Sequence, residues 1–151
     1  MFSLYNLLKF LHITAAIVWV GGVIALAVLN ARSPRQREAV ALLARQSAFF
    51  GRAVIAPAAA VTLVAGIAML AIGGGGFTLW VGWGLAGVFG SMAIGATVLR
   101  RANERMVQVS ADAPADEARL AAVRHRLAAA GLANVALLLS TVWAMVFKPT
   151  L

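Results

Sequence analysis

The sequence predicts an all-α, polytopic membrane protein built as a bundle of four transmembrane helices, and three observations lead to this fold class. Of its 151 residues, 62% are hydrophobic and only 12% are charged, which leaves too little polar surface for a soluble domain of this length. Four long apolar stretches are nearly free of charge, as helices that cross a bilayer are. The cations lie almost entirely in two connections between these stretches, so we expect a single membrane domain over residues 1–151.

The first two spans are predicted over residues 4–29 and 53–72. The connection between them, 30–52, contains an amphipathic stretch at 36–50. In helical spacing, apolar residues lie on one side of this stretch and polar residues on another: Val40, Leu43 and Phe50 against Arg37, Arg45 and Gln46. Such a helix either lies in the headgroup plane or continues into the next span.

The third and fourth spans are predicted over residues 78–99 and 127–147. Before the third span, glycines at 73–76 predict a tight hairpin turn; because they follow a membrane helix, they do not form a nucleotide-binding loop. The second polar connection, 100–126, contains a predicted helix start at 110–114, followed by acidic residues where a first helical turn favours negative charge.

The placement of the charges predicts the orientation. Eleven of the thirteen Lys and Arg residues lie in 30–52 and 100–126, which places both connections in the cytoplasm and both termini outside. We therefore expect a multi-pass protein of the bacterial inner membrane. The net charge of +8 reflects topology and contact with lipid headgroups, so no nucleic-acid partner is expected. The absence of Cys excludes disulfides and thiolate metal sites.

One ionisable side chain, His12, lies well inside the first span. Intramembrane ionisable residues are costly and are functional hypotheses by default, and imidazole is a common ligand of haem iron and copper. Helical spacing places Lys9, Ala15, Ala16 and Trp19 on the same stripe as His12. The two alanines leave room for a bulky cofactor, Trp19 is placed to cap it, and Lys9 is placed to meet an anionic group such as a propionate.

Two alternatives to a haem site follow from the same residue. In the first, His12 forms an interhelical hydrogen bond with Ser140, Thr141 or a backbone carbonyl. In the second, His12 binds Cu(I) together with Met69 and Met145, because Cu(I) prefers thioether and imidazole ligands and the three residues lie at similar depth. Methionine in an apolar span otherwise fills space.

Small and polar residues in the last two spans predict helix packing. Gly84, Gly87 and Gly90 recur every three residues and allow another helix to approach closely, within the bundle, in a homo-oligomer or in a larger membrane complex. Asn134 is expected to hydrogen-bond to a neighbouring helix. His125 is flanked by arginines and is expected at the level of the headgroups.

The order of short motifs along the chain resembles an uncharacterised bacterial family of predicted four-helix integral membrane proteins. The motifs are Leu-Lys-Phe-Leu-His at 8–12, Trp-Val-Gly-Gly at 19–22, Arg52 with Pro57 and Gly66, Trp80, and the ending at 143–149. That family is similar in pattern to the membrane domain of CopD copper-resistance proteins and to the HemJ type of protoporphyrinogen oxidase. The resemblance to HemJ-like proteins implies a four-helix protein that binds b-type haem, with His12 as a candidate ligand.

The start of the third span departs from the HemJ pattern. HemJ-like enzymes carry a His and a Lys after a Trp at this point, whereas residues 80–85 here read Trp-Val-Gly-Trp-Gly-Leu, which argues against oxidation of protoporphyrinogen. Three functional hypotheses follow. The chain binds haem b through His12 for electron transfer or tetrapyrrole handling, it handles copper, or it is a cofactor-free accessory subunit of a larger membrane complex.

Overall fold

In the computed structural model of the protein, residues 3–32, 36–73, 76–111 and 117–149 are described, and nearly all of them are helical. In chain order the helices are α1 Leu4–Ala31, α2 Arg37–Phe50, α3 Ala56–Ile72, α4 Leu79–Ala93, α5 Arg100–Ala111 and α6 Glu117–Phe147. Two π-helical turns, Gly51–Ile55 and Ile94–Leu99, join α2 to α3 and α4 to α5 without a break. The predicted all-α class is confirmed.

Four helical stretches are long and apolar enough to cross a membrane, as predicted. They are Leu4–Ala31, Glu38–Ile72, Leu79–Ser110 and Glu117–Phe147, with lengths of 28 to 35 residues. Because a bilayer core takes about 20 residues of helix, each stretch extends beyond the hydrocarbon region. The side of the membrane on which each end lies stays a prediction.

The spans pack as an antiparallel bundle in which α1 contacts both α3 and α6, and α4 lies mainly against α6. The hairpin partners α3 and α4 touch each other much less. Between the spans lies a core of buried apolar side chains from all four of them: Trp19, Val23, Ala58, Ala59, Val88 and Leu138. Close packing of small residues supplies the contact energy, because lipid tails offer apolar side chains nearly the same environment as the bundle.

The glycines of α4 allow it to pack closely against α6. A β-carbon at Gly84 would overlap the ε-methyl group of Met145, and one at Gly87 would overlap the Thr141 hydroxyl. At Gly90 it would lie 3.1 Å from a Leu137 methyl group. Of the packing roles predicted for these glycines, the structure shows the one within the bundle, against α6.

The two polar connections are helical over most of their described residues. Apolar residues of α2, α5 and the first turns of α6 are buried against one another and form what we call the head cluster: Val40, Ala44, Ala102, Met106, Val109, Leu120 and Leu127. The amphipathic helix predicted at 36–50 is confirmed, and it continues into the second span instead of ending there. The helix start predicted at 110–114 falls partly outside the described residues, and α6 begins at Glu117.

Candidate functional site

His12 lies at the contact between α1 and α3. Its Nδ1 atom is 2.8 Å from the main-chain carbonyl oxygen of Thr62. The Thr62 hydroxyl donates to the Ala58 carbonyl at 2.8 Å, so the threonine side chain is engaged within its own helix and only its carbonyl faces the histidine. The imidazole is therefore tied to the backbone of the neighbouring helix.

Gly66 makes room for this imidazole. A β-carbon at position 66 would lie 3.1 Å from both Nδ1 and Cε1 of His12, closer than ordinary van der Waals contact. Further contacts along the same pair of helices fix their antiparallel register, with Tyr5 beside Gly73 at one end and Gly22 beside Ile55 at the other. Helix packing thus holds the ring at one level between Thr62 and Gly66.

The hydrogen bond determines which ring nitrogen carries the proton. A carbonyl oxygen only accepts, so Nδ1 must donate, and in the neutral imidazole Nε2 then carries a lone pair. Among the described residues, the bond to Thr62 is the one hydrogen bond that the His12 ring makes. The alternative in which His12 bonds a backbone carbonyl is therefore confirmed for Nδ1. The same arrangement is usual for histidines that bind a metal through Nε2.

The other residues of the predicted stripe fall in different environments. Lys9 is exposed and Ala16 is half-buried, so both flank the imidazole on an accessible part of α1. Ala15 is buried, and Trp19 is only 4% exposed because it packs among the core side chains. In this structure Trp19 fills the centre of the bundle and is not positioned as a cap over His12.

The structure places the two methionines of the predicted copper site at different helix contacts. Met69 lies on α3 three residues beyond Gly66, about 4.5 Å further along the helix axis from the level of His12. Met145 packs against Gly84 at the contact between α4 and α6. Within the part of the chain that the structure describes, no group of three or more His, Cys, Asp or Glu residues is arranged to hold a metal ion.

Two residues that shape the histidine environment, Thr62 and Gly66, were not assigned to the site from the sequence. Gly66 was noted only as part of a motif, and a main-chain acceptor such as the Thr62 carbonyl has no signature in residue type. Conversely, Ser140 and Thr141, considered as partners of His12, are engaged elsewhere. Ser140 accepts from Trp83 Nε1 at 3.3 Å, and both hydroxyls donate to the Leu137 carbonyl.

Polar residues elsewhere in α6 have separate roles. Lys148 lies over the ring of Trp80, 5.3 Å from its centroid, at the end of the bundle farthest from the head cluster. His125 is exposed at the opposite end, as predicted. Asn134 is only 2% exposed, and its Oδ1 atom has no hydrogen-bond partner, so the interhelical bond predicted for this residue is not formed through Oδ1.

Comparison with known proteins identifies a family for the chain. Residues 6–149 match the family described as "Predicted integral membrane protein (DUF2269)", which covers nearly the whole sequence. No curated protein and no solved structure matches the chain significantly. The chain belongs to this family of integral membrane proteins, and the family description carries no activity.

Proposed function

We propose that this member of the family binds b-type haem through Nε2 of His12. The observation that carries the proposal is the hydrogen bond from His12 Nδ1 to the Thr62 carbonyl. It orients the ring and, in the neutral imidazole, places the proton on Nδ1, which leaves the Nε2 lone pair to bind haem iron. The resemblance to HemJ-like proteins makes haem the cofactor of choice for such a donor.

The surrounding residues fit this ligand in part. Lys9 is exposed three residues before His12, where its ammonium group suits a propionate, and half-buried Ala16 offers a small side chain one turn further on. Ala15 and Trp19 are buried in helix contacts, so they support α1 and leave the ligand to the accessible side of the helix. When bound, haem supplies one-electron chemistry. The protein's own contribution is to orient the imidazole through its hydrogen bond to the Thr62 carbonyl and its close packing against Gly66.

Electron transfer or tetrapyrrole handling is favoured over oxidase activity. The first turns of α4 read Leu-Trp-Val-Gly-Trp-Gly over residues 79–84, without the His and Lys that HemJ-like enzymes carry there. In this part of α4, Trp83 donates to Ser140 and Trp80 lies beneath Lys148. These contacts tie α4 to the end of α6.

An absorption spectrum of the purified protein tests the proposal, and the chain supplies a matched control. Its two histidines are His12 and His125, so His12→Gln and His125→Gln remove one imidazole each. A glutamine at position 12 keeps a polar side chain with an N–H donor but is a poor ligand of haem iron. After expression with ample haem, we expect a Soret band in the wild type and in His125→Gln, and its loss in His12→Gln. Full haem occupancy in a folded His12→Gln protein would contradict the assignment.

Copper binding is a second candidate, because Met69 lies one helical turn from the level of His12 on the facing helix. Cu(I) takes imidazole and thioether ligands. After loading with Cu(I) in place of haem, we expect Met69→Leu to lower the bound copper and Met145→Leu to leave it unchanged, since Met145 packs against Gly84. Equal copper in both variants and the wild type would remove this candidate.

The remaining hypothesis is a cofactor-free subunit, which predicts neither a Soret band nor bound copper. Its predicted contact surface was the glycine-rich third span, which this chain uses for its own α4–α6 contact. A partner helix or second copy would therefore bind the exposed face of α4, on which Phe89 and Met92 lie. Co-purification of a stoichiometric membrane partner with the colourless, copper-free protein would support it.

A further inference from the structure

The head cluster carries a cleft lined by arginines, which lies at the opposite end of the bundle from Lys148. Between α5 and α6 is an open, solvent-accessible cavity of about 590 Å³. A second cavity of about 260 Å³ adjoins it and shares Arg105, Val123 and Arg126 with it. We call the two together the arginine cleft.

Four arginines line the arginine cleft from two facing helices. Arg101 and Arg105 lie one turn apart on α5, and Arg119 and Arg126 lie two turns apart on α6. The described residues that line it include no carboxylate. Glu104 of α5 is 2.9 Å from Arg100, which does not line the cleft. Because Arg119 makes a further interaction of its own, the argument rests on the other three arginines.

The scaffold around the cleft is fixed, so these cations are brought together by packing. Ala102, Met106 and Val109 of α5 and Leu120 and Leu127 of α6 are buried in the head cluster. These residues alternate along the two helices with the arginines, and their burial sets the direction in which the arginines point. Like charges that line one cleft repel one another, and an anion bound among them offsets this repulsion and accepts charge-assisted hydrogen bonds.

The cleft begins near the end of the third span predicted from the sequence, residues 78–99. Thr97 and Val98, within the π-helical turn that joins α4 to α5, line its smaller cavity. Gln108 lines the larger cavity near the far end of α5 and adds a neutral donor. Arginine is suited to phosphate because its planar guanidinium group binds two oxygens at once, and basic pockets at membrane boundaries bind phosphorylated headgroups.

We propose that the arginine cleft binds a phosphate group, carried either by an acidic phospholipid headgroup or by a soluble phosphate compound. Arg105 and Arg126 line both cavities and hold the phosphate from the two helices. The site is independent of His12, which lies at the α1–α3 contact, so it holds whether or not the chain binds haem.

Binding to the full-length protein in a neutral detergent, measured by native mass spectrometry, tests the proposal. One arm titrates phosphatidylglycerol against phosphatidylcholine, and the other titrates inorganic pyrophosphate. The cleft variant is Arg105→Gln with Arg126→Gln. The control, Arg45→Gln with Arg52→Gln, removes the same charge from exposed arginines outside the cleft. Hydrogen bonds to charged groups predict a loss of affinity of about tenfold or more for each cleft arginine and at most a small change in the control.

The arms identify the source of the phosphate. A preference for phosphatidylglycerol over phosphatidylcholine, without binding of pyrophosphate, indicates a lipid site. Binding of pyrophosphate that the cleft variant loses indicates a soluble ligand. Equal loss of affinity in the cleft and control variants would reduce the effect to net charge and overturn the proposal, as would absence of both ligands from the wild type. If the glutamine variant does not fold, Arg105→Lys with Arg126→Lys keeps the charge but not the two-oxygen contact. That variant must still bind more weakly than the wild type.

Discussion

The contact between Gly87 and Thr141 predicts a loss of stability when Gly87 is replaced by alanine. A β-carbon there would overlap the Thr141 hydroxyl and lie 3.0 Å from both Cβ and Cγ2 of that residue. Rotation of Thr141 moves the hydroxyl away only by breaking its 2.9 Å hydrogen bond to the Leu137 carbonyl, and it leaves the other branches of the side chain against α4. Overpacking costs about 1–3 kcal/mol, and alanine gains up to about 1 kcal/mol over glycine in a helix. We expect a net loss of about 1–2 kcal/mol.

The assay is thermal unfolding in detergent followed by circular dichroism, with two companion variants. At Gly21, in the exposed part of α1, a β-carbon meets nothing within 4 Å, so Gly21→Ala should stabilise the protein by about 0.5–1 kcal/mol. Combining Gly87→Ala with Thr141→Ala removes the obstructing branches and should recover much of the loss. The reasoning is refuted if Gly87→Ala is as stable as Gly21→Ala, or if removal of the Thr141 side chain gives no recovery.

Three further predictions test other parts of the structure. Gly66→Ala, whose methyl group would press on His12, should be less stable than the Gly21→Ala control by about 1 kcal/mol in the same unfolding experiment. Equal stability of the two variants would contradict the close contact between Gly66 and the His12 ring. Leu120→Ala, in the head cluster, should cost about 2–4 kcal/mol and expose residues 100–126 to protease while the spans stay helical. Asn134→Leu should leave stability unchanged or raise it by about 1 kcal/mol, because the buried Oδ1 has no partner; a marked loss would indicate an interhelical bond.

The number and type of helices were predictable because hydropathy and span length are local properties. The first span was predicted over 4–29 and observed as Leu4–Ala31. Which helices pack against each other was harder to predict from the sequence. The stripe that contains His12 and Trp19 gives the angular position of each side chain on α1, but it does not say which neighbour covers it. Packing of α3 and α6 on α1 buries Trp19 and leaves His12 half-buried.

The head cluster was missed for a related reason. Its apolar residues are few and are spread over segments rich in arginine, so each segment alone has the composition of a connection. Val40 and Met106 become part of one core only when the spans bring α2 beside α5. The arginine cleft depends on the same pairing. The count of cations was available from the sequence, but their convergence on one cavity was not.

The free energy that the His12 hydrogen bond contributes to folding distinguishes a purely structural role of this residue from a role as a ligand. Interhelical side-chain hydrogen bonds in membranes contribute about 0.6 kcal/mol on average and at most about 1.7 kcal/mol. His12 is half-buried, and a leucine there would be compatible with both lipid and the helix contact. His12→Leu should therefore cost less than about 1.5 kcal/mol in thermal unfolding of the cofactor-free protein. A larger loss would make the contact with Thr62 and Gly66 a sufficient reason for a histidine at this position. A small loss leaves the unpartnered Nε2 as the feature that a structural role does not explain, and the Soret and copper measurements then decide which ligand it takes.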